Sequence, residues 1–267
     1  MKLSSRQSRL GTETAFETLA KAKKLEAEGK NIVHLEIGEP DFDSPSYVID
    51  AAKEALDQGF THYGPSAGQP ELRNAIAIHQ GEFNGYSISP ENVIVTPGGK
   101  PVMFFSLLAL IEEGDEVIYP NPGFPIYESM INYSGGTPIP MKLEETKDFN
   151  ANIDDLRKLI TNKTKMMIIN SPNNPCGSVT TKDDLKQIAE IAIENNLIVL
   201  SDEIYKDMYY EGEHYSITKF NGMKERTIIL DGFSKSYAMT GWRLGYGIFP
   251  DFLVAVSYTH LTLPTKA

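Results

Sequence analysis

The chain has 267 residues, of which 41% are hydrophobic, and its net charge is −11. This size supports one large domain, or one domain with a small attachment. The negative charge and the absence of a Lys/Arg-rich block argue against nucleic acid or an anionic membrane as a partner. Cys176 is the single cysteine, and the sequence shows neither a signal peptide nor a transmembrane-length apolar run, so we expect a soluble, cytoplasmic protein. The five histidines lack the spacing of metal ligands, so no metal site is expected.

The first 90 residues predict helices joined by glycine-containing loops. An amphipathic helix is predicted from Thr14 to Glu28, with one face formed by Phe16, Leu19, Ala20, Lys23 and Ala27. A second helix is predicted from Ser46 to Asp57, and a third starts with Pro70 near its first position. Between the first two helices, Gly38 lies in a Gly-Glu-Pro-Asp-Phe stretch, where a glycine lets the backbone approach a ligand closely.

From residue 92 onward, predicted strands alternate with predicted helices. Apolar runs at 93–96, 115–120, 165–169, 197–200 and 227–230 predict strands, and residues 101–111 and 182–194 predict helices. This alternation is typical of an α/β fold with a mostly parallel sheet flanked by helices. Because parallel strands bring their carboxyl ends to one edge, we expect Asn174, Asp202 and Lys235 to converge there.

Lys235 and Arg243 lie in the stretch DGFSKSYAMTGWRLGYG, residues 231–247, directly after a predicted strand. A lysine fixed at a strand end can form a Schiff base with a carbonyl, and a nearby arginine can bind a phosphate with two parallel hydrogen bonds. The Gly98-Gly99 turn enters a predicted helix and would expose backbone N–H groups to a phosphate. A lysine and a phosphate site are the minimum that pyridoxal phosphate requires of a protein.

The same stretch closely resembles the lysine signature of class I aminotransferases, the aspartate-aminotransferase-like family of fold type I. The signature positions are filled by Gly232, Ser234, Lys235, Ala238, Gly241, Arg243, Leu244 and Gly245. The resemblance covers roughly residues 5–252. It implies a pyridoxal-phosphate-binding large domain at 41–255, preceded by an arm and helix of a small domain at 1–40. It also implies a homodimer with shared active sites.

The resemblance implies cofactor contacts for ten residues. Lys235 would bond to pyridoxal phosphate, and Asp202 would keep its pyridine nitrogen protonated. Tyr205 and Asn174 would donate hydrogen bonds to its phenolic oxygen. The other implied contacts are phosphate binding by Gly99, Lys100, Ser234, Arg243 and the partner subunit's copy of Tyr63, and ring stacking by Phe124. In the alternative interpretation, Tyr63 fills a loop crevice and Phe124 is a core residue.

The resemblance also implies substrate contacts. Gly38 would contact the substrate carboxylate, with Phe124 and Asn174 beside it. In one subgroup a lysine at the position of Lys100 reaches the distal carboxylate of acidic substrates. In the alternative interpretation, Lys100 only exposes its backbone N–H to the phosphate.

The sequence departs from the family pattern at three places. Cys176 replaces the more usual Thr of the Asn-Pro-x-Gly motif at 174–177, and Gly232 stands where some members have a serine. Family chains also continue beyond residue 252, and the continuation carries the arginine that holds the substrate carboxylate. Residues 256–267 change to a Thr-rich composition, so we expect a non-native tail on a truncated chain.

The implied function is transfer of an amino group between an L-amino acid and a 2-oxo acid. Two alternatives remain open. A fold type I lyase or synthase, such as a C–S lyase, shares nearly all these residues. A non-catalytic pyridoxal-phosphate-binding module would keep the cofactor site alone.

Overall fold

The computed structural model describes residues 3–11 and 14–254. Its α-helices are α1 (Thr14–Ala27), α2 (Ser46–Asp57), α3 (Pro70–Asn84), α4 (Lys100–Leu110), α5 (Ile126–Ser134), α6 (Ile153–Leu159) and α7 (Lys182–Glu194). Its strands are β1 (Val93–Thr96), β2 (Glu116–Asn121), β3 (Thr137–Glu144), β4 (Asn150–Ala151), β5 (Thr164–Asn170), β6 (Ile198–Asp202), β7 (Thr227–Gly232) and β8 (Gly245–Ile248). Short 3₁₀ helices span Ser5–Arg9, Pro90–Asn92, Glu145–Lys147, Ile217–Lys219 and Thr240–Trp242.

The strands form one mixed sheet in the order β1-β8-β7-β6-β5-β2-β3-β4. Neighbouring strands from β3 through β2, β5 and β6 to β7 are parallel. Strand β8 is antiparallel to both β7 and β1, and β4 is antiparallel to β3. Because two antiparallel steps restore direction, β1 runs the same way as β7. The carboxyl ends of β1, β2, β5, β6 and β7 therefore share one edge of the sheet.

Helices cover both faces of the central strands, which explains why those strands are nearly all apolar. In β5, Met166 and Ile168 join the cluster packed against α4, whereas Met167 and Ile169 join the cluster packed against α7. This alternation follows from the two-residue period of a strand. The sheet is thus buried on both faces, and its edge is where polar side chains can reach a ligand.

The α/β class and the parallel run of strands predicted from the sequence are confirmed. Helices α2 and α7 begin and end where predicted, and Pro70 is the first residue of α3. Strand β1 also has the predicted bounds, and the other predicted strands and helices shift by one or two residues; β6, for example, extends to Asp202. Strands β3, β4 and β8 were not predicted, because β8 is glycine-rich and β3 contains two prolines.

The apolar face predicted for α1 is largely uncovered. Phe16 on that face is 55% exposed, and Ala22 is the buried residue of this helix, which ends at Ala27. The pattern of apolar residues marks a stripe along the helix, but it does not say which part of that stripe a neighbour covers.

Among the residues that the structure describes, no helix is long and apolar enough to cross a membrane. The tail expected at residues 256–267 lies outside the described residues. The division into parts at 1–40 and 41–255 stays a prediction.

Candidate active site

The carboxyl edge of the sheet collects the residues singled out in the sequence. Asn170, the last residue of β5, pairs in register with Asp202, the last residue of β6. Lys235 follows the end of β7 by three residues, and Asn174 follows the end of β5 by four. The predicted convergence of Asn174, Asp202 and Lys235 at one edge therefore agrees with the topology.

The Lys235 side chain is partly buried above this edge. Its Nζ atom donates a hydrogen bond to the backbone oxygen of Gly38 and lies 5.8 Å from the centre of the Tyr205 ring. Burial lowers the pKa of the Lys235 ammonium and the Arg243 guanidinium lowers it further, whereas the Glu39 carboxylate offsets part of this effect. A lysine with a lowered pKa is closer to being a free amine, the form that attacks a carbonyl.

Asp202 presents a carboxylate that is almost completely buried, with 6% of the residue exposed. Its Oδ2 atom accepts a 2.6 Å hydrogen bond from the Tyr127 hydroxyl, and its Oδ1 atom accepts a 3.3 Å bond from the Ile204 N–H. Burial raises the pKa of Asp202 to about 6, although these two hydrogen bonds lower it in part. A cation beside this carboxylate would favour the ionised form, as a protonated pyridine ring would.

Tyr205 follows the end of β6 by three residues, and Asn174 follows the end of the neighbouring strand β5 by four. Burial and, to a smaller extent, the Asp202 charge raise the pKa of Tyr205 to about 12, so the phenol keeps its proton at neutral pH and can donate. The Asn174 N–H donates a 2.8 Å hydrogen bond to Asn170 Oδ1, and Asn170 Nδ2 donates a 3.0 Å bond to the backbone oxygen of Asp202. Asn170 thus links the loop that carries Asn174 to the strand that carries Asp202.

The Gly98-Gly99 turn and Arg243 meet where β1 and β8 pair. Thr96, the last residue of β1, is in register with Gly245, the first of β8, which brings the segments beyond them together. Gly98 has a φ of 84°, and a Cβ placed there would overlap the Arg243 guanidinium. Gly99 is the N-cap of α4 and makes no side-chain cap, so the N-terminal N–H groups of this helix face the turn. Exposed Arg243 and these amides form a place suited to a phosphate.

Phe124 and Lys100 lie next to each other beyond the ends of β2 and β1. The Lys100 Nζ atom is 5.6 Å from the centre of the Phe124 ring. Phe124 also contacts Tyr127 edge to face at 5.7 Å, and it is only partly buried against the core. The ring therefore packs partly on the core, and its stacking on a cofactor ring stays a prediction. Through Tyr127 it is two contacts away from Asp202.

Two further predicted cofactor residues are Tyr63, which is exposed, and Ser234, which is partly buried. Tyr63 is 98% exposed, so the crevice-filling alternative is wrong, and its contact with a partner subunit stays a prediction. Ser234 is partly buried and its backbone oxygen accepts a 3.2 Å hydrogen bond from Met239 N–H, which closes the turn after Lys235. The contact of its hydroxyl with phosphate stays a prediction.

An open cleft of about 450 Å³ lies between residues 39–44 and 238–242. Glu39 and Trp242 contribute to its walls, and Glu39 accepts a 2.8 Å hydrogen bond from the Thr240 hydroxyl across it. Glu39 directly follows Gly38, whose backbone oxygen accepts the hydrogen bond from the Lys235 ammonium.

These residues fit pyridoxal phosphate. Gly98 leaves room that any side chain would fill, so the Arg243 guanidinium and the α4 amides can face one anion. The buried Asp202 carboxylate is suited to a ring nitrogen that carries a proton, and Tyr205 to an oxygen acceptor. The Lys235 amine is suited to an aldehyde.

The sequence pattern missed the residues whose hydrogen bonds hold Asp202 in place. Tyr127 and Asn170 hold Asp202, yet a tyrosine in a helix and an asparagine at a strand end are common. Glu203 is structural: it is 1% exposed and accepts hydrogen bonds from the Ser201 and Ser216 hydroxyls at 2.8 and 2.7 Å. The side chain of Asp207 is 45% exposed and ion-paired with Lys206.

Comparison with known proteins agrees with this geometry. The family model described as aminotransferase class I and II matches residues 30–259. The chain belongs to this family. It is 46% identical over 227 residues to an aspartate aminotransferase of Pyrococcus abyssi and 43% identical over 227 residues to aromatic-amino-acid aminotransferase 2 of Thermococcus litoralis. Each alignment covers 84% of this chain and 58% of the relative. The chain therefore spans somewhat more than half the length of these relatives.

A solved structure of Thermus thermophilus aspartate aminotransferase with maleate superposes with a TM-score of 0.95 at 38% identity. The superposition covers 100% of this chain and 69% of that structure. The fold type expected from the lysine stretch is thus confirmed.

Proposed function

We propose that this chain carries the cofactor-binding part of a pyridoxal-phosphate-dependent aminotransferase. The observation that carries the proposal is the grouping of three side chains at the sheet edge: the Lys235 amine with its lowered pKa, the protonated Tyr205 phenol and the buried Asp202 carboxylate. Bound pyridoxal phosphate would supply an aldehyde for the amine and a ring that withdraws electrons from the substrate α-carbon. Membership of the family supports this assignment.

Each residue of the group has a task in this proposal. The Lys235 Nζ atom accepts the proton from the substrate α-carbon and later returns one, which its lowered pKa favours near neutral pH. The Asp202 carboxylate holds a proton on the ring nitrogen from a buried position, where the charge pairing is strong. The Tyr205 hydroxyl and the Asn174 side chain donate to the phenolic oxygen. The Arg243 guanidinium binds the phosphate together with Ser234 and the amides of Gly99 and Lys100.

The proposed substrates are an L-amino acid and a 2-oxo acid, with acidic amino acids as the first donors to test. The Lys100 ammonium beside Phe124 could bind a distal carboxylate. The similar Thermus protein was solved with maleate, a dicarboxylate, which is consistent with this choice. The Thermococcus relative is named for aromatic amino acids, so aromatic donors are the second class to test. Gly38, Phe124 and Asn174 would line the substrate position.

We further propose a homodimer in the cytoplasm that takes part in amino acid metabolism. The exposed Tyr63 ring supports the dimer, because the family uses this position to reach the partner subunit's cofactor. The single cysteine and the acidic composition support the location.

The decisive experiment is chemical trapping at Lys235. The protein is incubated with pyridoxal phosphate, reduced with borohydride and digested, and the modified peptide is identified by mass spectrometry. We expect the label on Lys235 and none at that peptide in Lys235→Arg, which keeps the charge. A label distributed over surface lysines at equal levels would overturn the cofactor assignment.

Turnover then separates the enzymatic alternatives. Production of a 2-oxo acid from aspartate is measured with and without added 2-oxoglutarate. An aminotransferase needs the second oxo acid for more than one turnover, whereas a lyase continues without it. Sustained turnover without an acceptor, or wild-type turnover by Lys235→Ala, would contradict the proposed function.

A further inference from the structure

Lys206 is a buried lysine directly after Tyr205, and only 3% of its side chain is exposed. Its ammonium contacts two carboxylates, Asp231 Oδ2 at 2.9 Å and Asp207 Oδ2 at 3.0 Å. A lysine is almost never buried unless its charge is paired. The arrangement therefore depends on these two aspartates, of which the Asp231 side chain is completely buried and the Asp207 side chain is 45% exposed.

Asp231 is the inner partner and is completely buried near the end of β7. Besides Lys206, its Oδ2 atom accepts 2.7 Å hydrogen bonds from Gln80 Nε2 of α3 and from the Tyr246 hydroxyl of β8. Its Oδ1 atom accepts a 2.7 Å bond from the N–H of Gly232. The start of the segment 231–236 is thereby bound to α3, to β8 and to Lys206.

Asp207 is the outer partner and reaches the other end of the same segment. Its Oδ2 atom accepts a 2.9 Å hydrogen bond from the hydroxyl of Ser236, the residue after Lys235. Both ends of the segment that carries Lys235 are therefore connected to the single ammonium of Lys206. The backbone of Lys206 is in turn adjacent to Tyr205, whose ring lies 5.8 Å below the Lys235 amine.

The charges in this group are balanced for a buried site. Burial alone would lower the pKa of Lys206, but the Asp231 and Asp207 carboxylates outweigh it and raise that pKa above its ordinary value. Burial raises the pKa of Asp231, and the Lys206 ammonium with the Tyr246 hydroxyl offsets part of that rise. Buried ion pairs add little net stability but can specify one arrangement of the chain. A geometric role explains this costly arrangement better than a stabilising one.

We propose that Lys206 is a positioning residue whose ammonium, through Asp231 on one side and Asp207 and Ser236 on the other, holds the segment 231–236 so that the Lys235 amine stays over Tyr205. The importance of this position for catalysis rests on the proposed function. The ordering of the segment does not, because it concerns the protein without a cofactor.

The first test measures amide hydrogen exchange in the cofactor-free protein. Lys206→Met removes the charge and keeps the length, and Lys206→Arg keeps the charge. We expect exchange in residues 232–239 to become about tenfold faster in Lys206→Met, close to wild type in Lys206→Arg, and unchanged in α7 in both. The control is Lys158→Met, which removes an exposed 2.7 Å pair with Asp155 and should alter nothing near Lys235.

The second test follows the Lys235 amine itself. Acetic anhydride labels lysines as free amines, so the pH dependence of labelling, followed by mass spectrometry, gives the midpoint for Lys235. In Lys206→Met we expect this midpoint to move upward toward that of an ordinary lysine, because a loosened segment exposes the ammonium to water. In Lys206→Arg it should stay at the wild-type position.

The outer arm gives a test that does not leave a buried charge without its partner. Ser236→Ala and Asp207→Asn each weaken the connection to Ser236 while Asp231 keeps its ion pair. Both should speed exchange in residues 232–239 by about two- to fivefold, which is the effect of losing one exposed contact. If Lys206→Met does not fold, Ser236→Ala and Asp207→Asn still test the positioning role of Lys206.

Wild-type exchange and a wild-type labelling midpoint in Ser236→Ala and Asp207→Asn would overturn the proposal. So would wild-type behaviour of a folded Lys206→Met. If these variants loosen the segment but borohydride trapping does not label Lys235, the positioning role of Lys206 holds and the proposed function fails. If trapping labels Lys235 and the segment is not loosened, the reverse is true.

Discussion

The hydroxyl of Tyr127 donates a 2.6 Å hydrogen bond to the Oδ2 atom of Asp202, and the Tyr127 side chain is completely buried. Tyr127 lies in α5, after β2, whereas Asp202 ends β6, so the contact joins elements 75 residues apart. It fixes the orientation of the carboxylate and supplies a donor that favours its ionised form. The properties of Asp202 can therefore be tested through either residue.

Asp202→Asn should make the unfolding free energy of the cofactor-free protein depend less on pH. Burial raises the folded-state pKa of Asp202 to about 6, so the folded protein holds this proton more tightly than the unfolded chain does. The resulting stabilisation is complete below the unfolded-state pKa and is lost as the pH rises through about 6. Between pH 5 and pH 8 the wild type should lose about 1 kcal/mol of unfolding free energy relative to Asp202→Asn, measured by urea denaturation. If the unfolding free energies of the two proteins changed equally with pH, Asp202 would not have a raised pKa in the folded protein.

Tyr127→Phe should raise the pKa of Asp202 above about 6. The change removes the hydroxyl donor but keeps the ring that contacts Phe124. Loss of one hydrogen bond to a charged group corresponds to a rise of about one pKa unit. The titration of the carboxyl carbon by NMR measures this shift directly. Tyr133→Phe is the control. Tyr133 lies in α5 like Tyr127, but its ring packs on Phe104 of α4, so this change should leave the Asp202 titration unchanged.

The central part of the site was predictable from the sequence because it depends on topology. Apolar runs alternating with helices predict parallel strands, and polar residues after those runs must then share an edge. Asn174, Asp202 and Lys235 were predicted on this basis, and the strands that precede them are adjacent and parallel in the structure. The individual roles carried over from the family stay predictions.

The supporting contacts were not predictable, because they join residues through space without a local pattern. Gln80 in α3 and Tyr246 in β8 meet at Asp231, and neither has a neighbour in sequence that signals the contact. The glycine-rich β8 lacks the apolar run of a buried strand, so the pairing that brings Arg243 to Gly98 was also missed. For α1, the apolar stripe is visible in the sequence, but the extent to which a neighbour covers it is not, and Phe16 is 55% exposed.

Lys100→Ala should weaken the use of acidic donors selectively, if the proposed substrate class is correct. The ammonium near Phe124 would contact only a substrate that carries a second carboxylate. Loss of one charge-assisted contact should raise KM for aspartate about tenfold or more, with little change for alanine. Lys186→Ala, on the exposed side of α7, is the matched control. Equal increases for aspartate and alanine would instead favour a role through the Lys100 backbone N–H.

Gly98→Ala should reduce affinity for pyridoxal phosphate by displacing Arg243. Gly98 has a φ of 84°, so alanine is strained there, and its Cβ would also overlap the Arg243 guanidinium. Gly85 is the matched control: it has a φ of 75° at the end of α3, but open space surrounds the position of its Cβ.

Both alanine variants should therefore lose about 1–2 kcal/mol of unfolding free energy from backbone strain. Only Gly98→Ala should also bind pyridoxal phosphate more weakly, by about tenfold or more for a disturbed charge-assisted phosphate contact. Spectroscopic titration with the cofactor at fixed ionic strength measures the difference. Because the two glycines share the strain and differ in the contact with Arg243, equal affinities in the two variants would mean that Arg243 does not bind the phosphate.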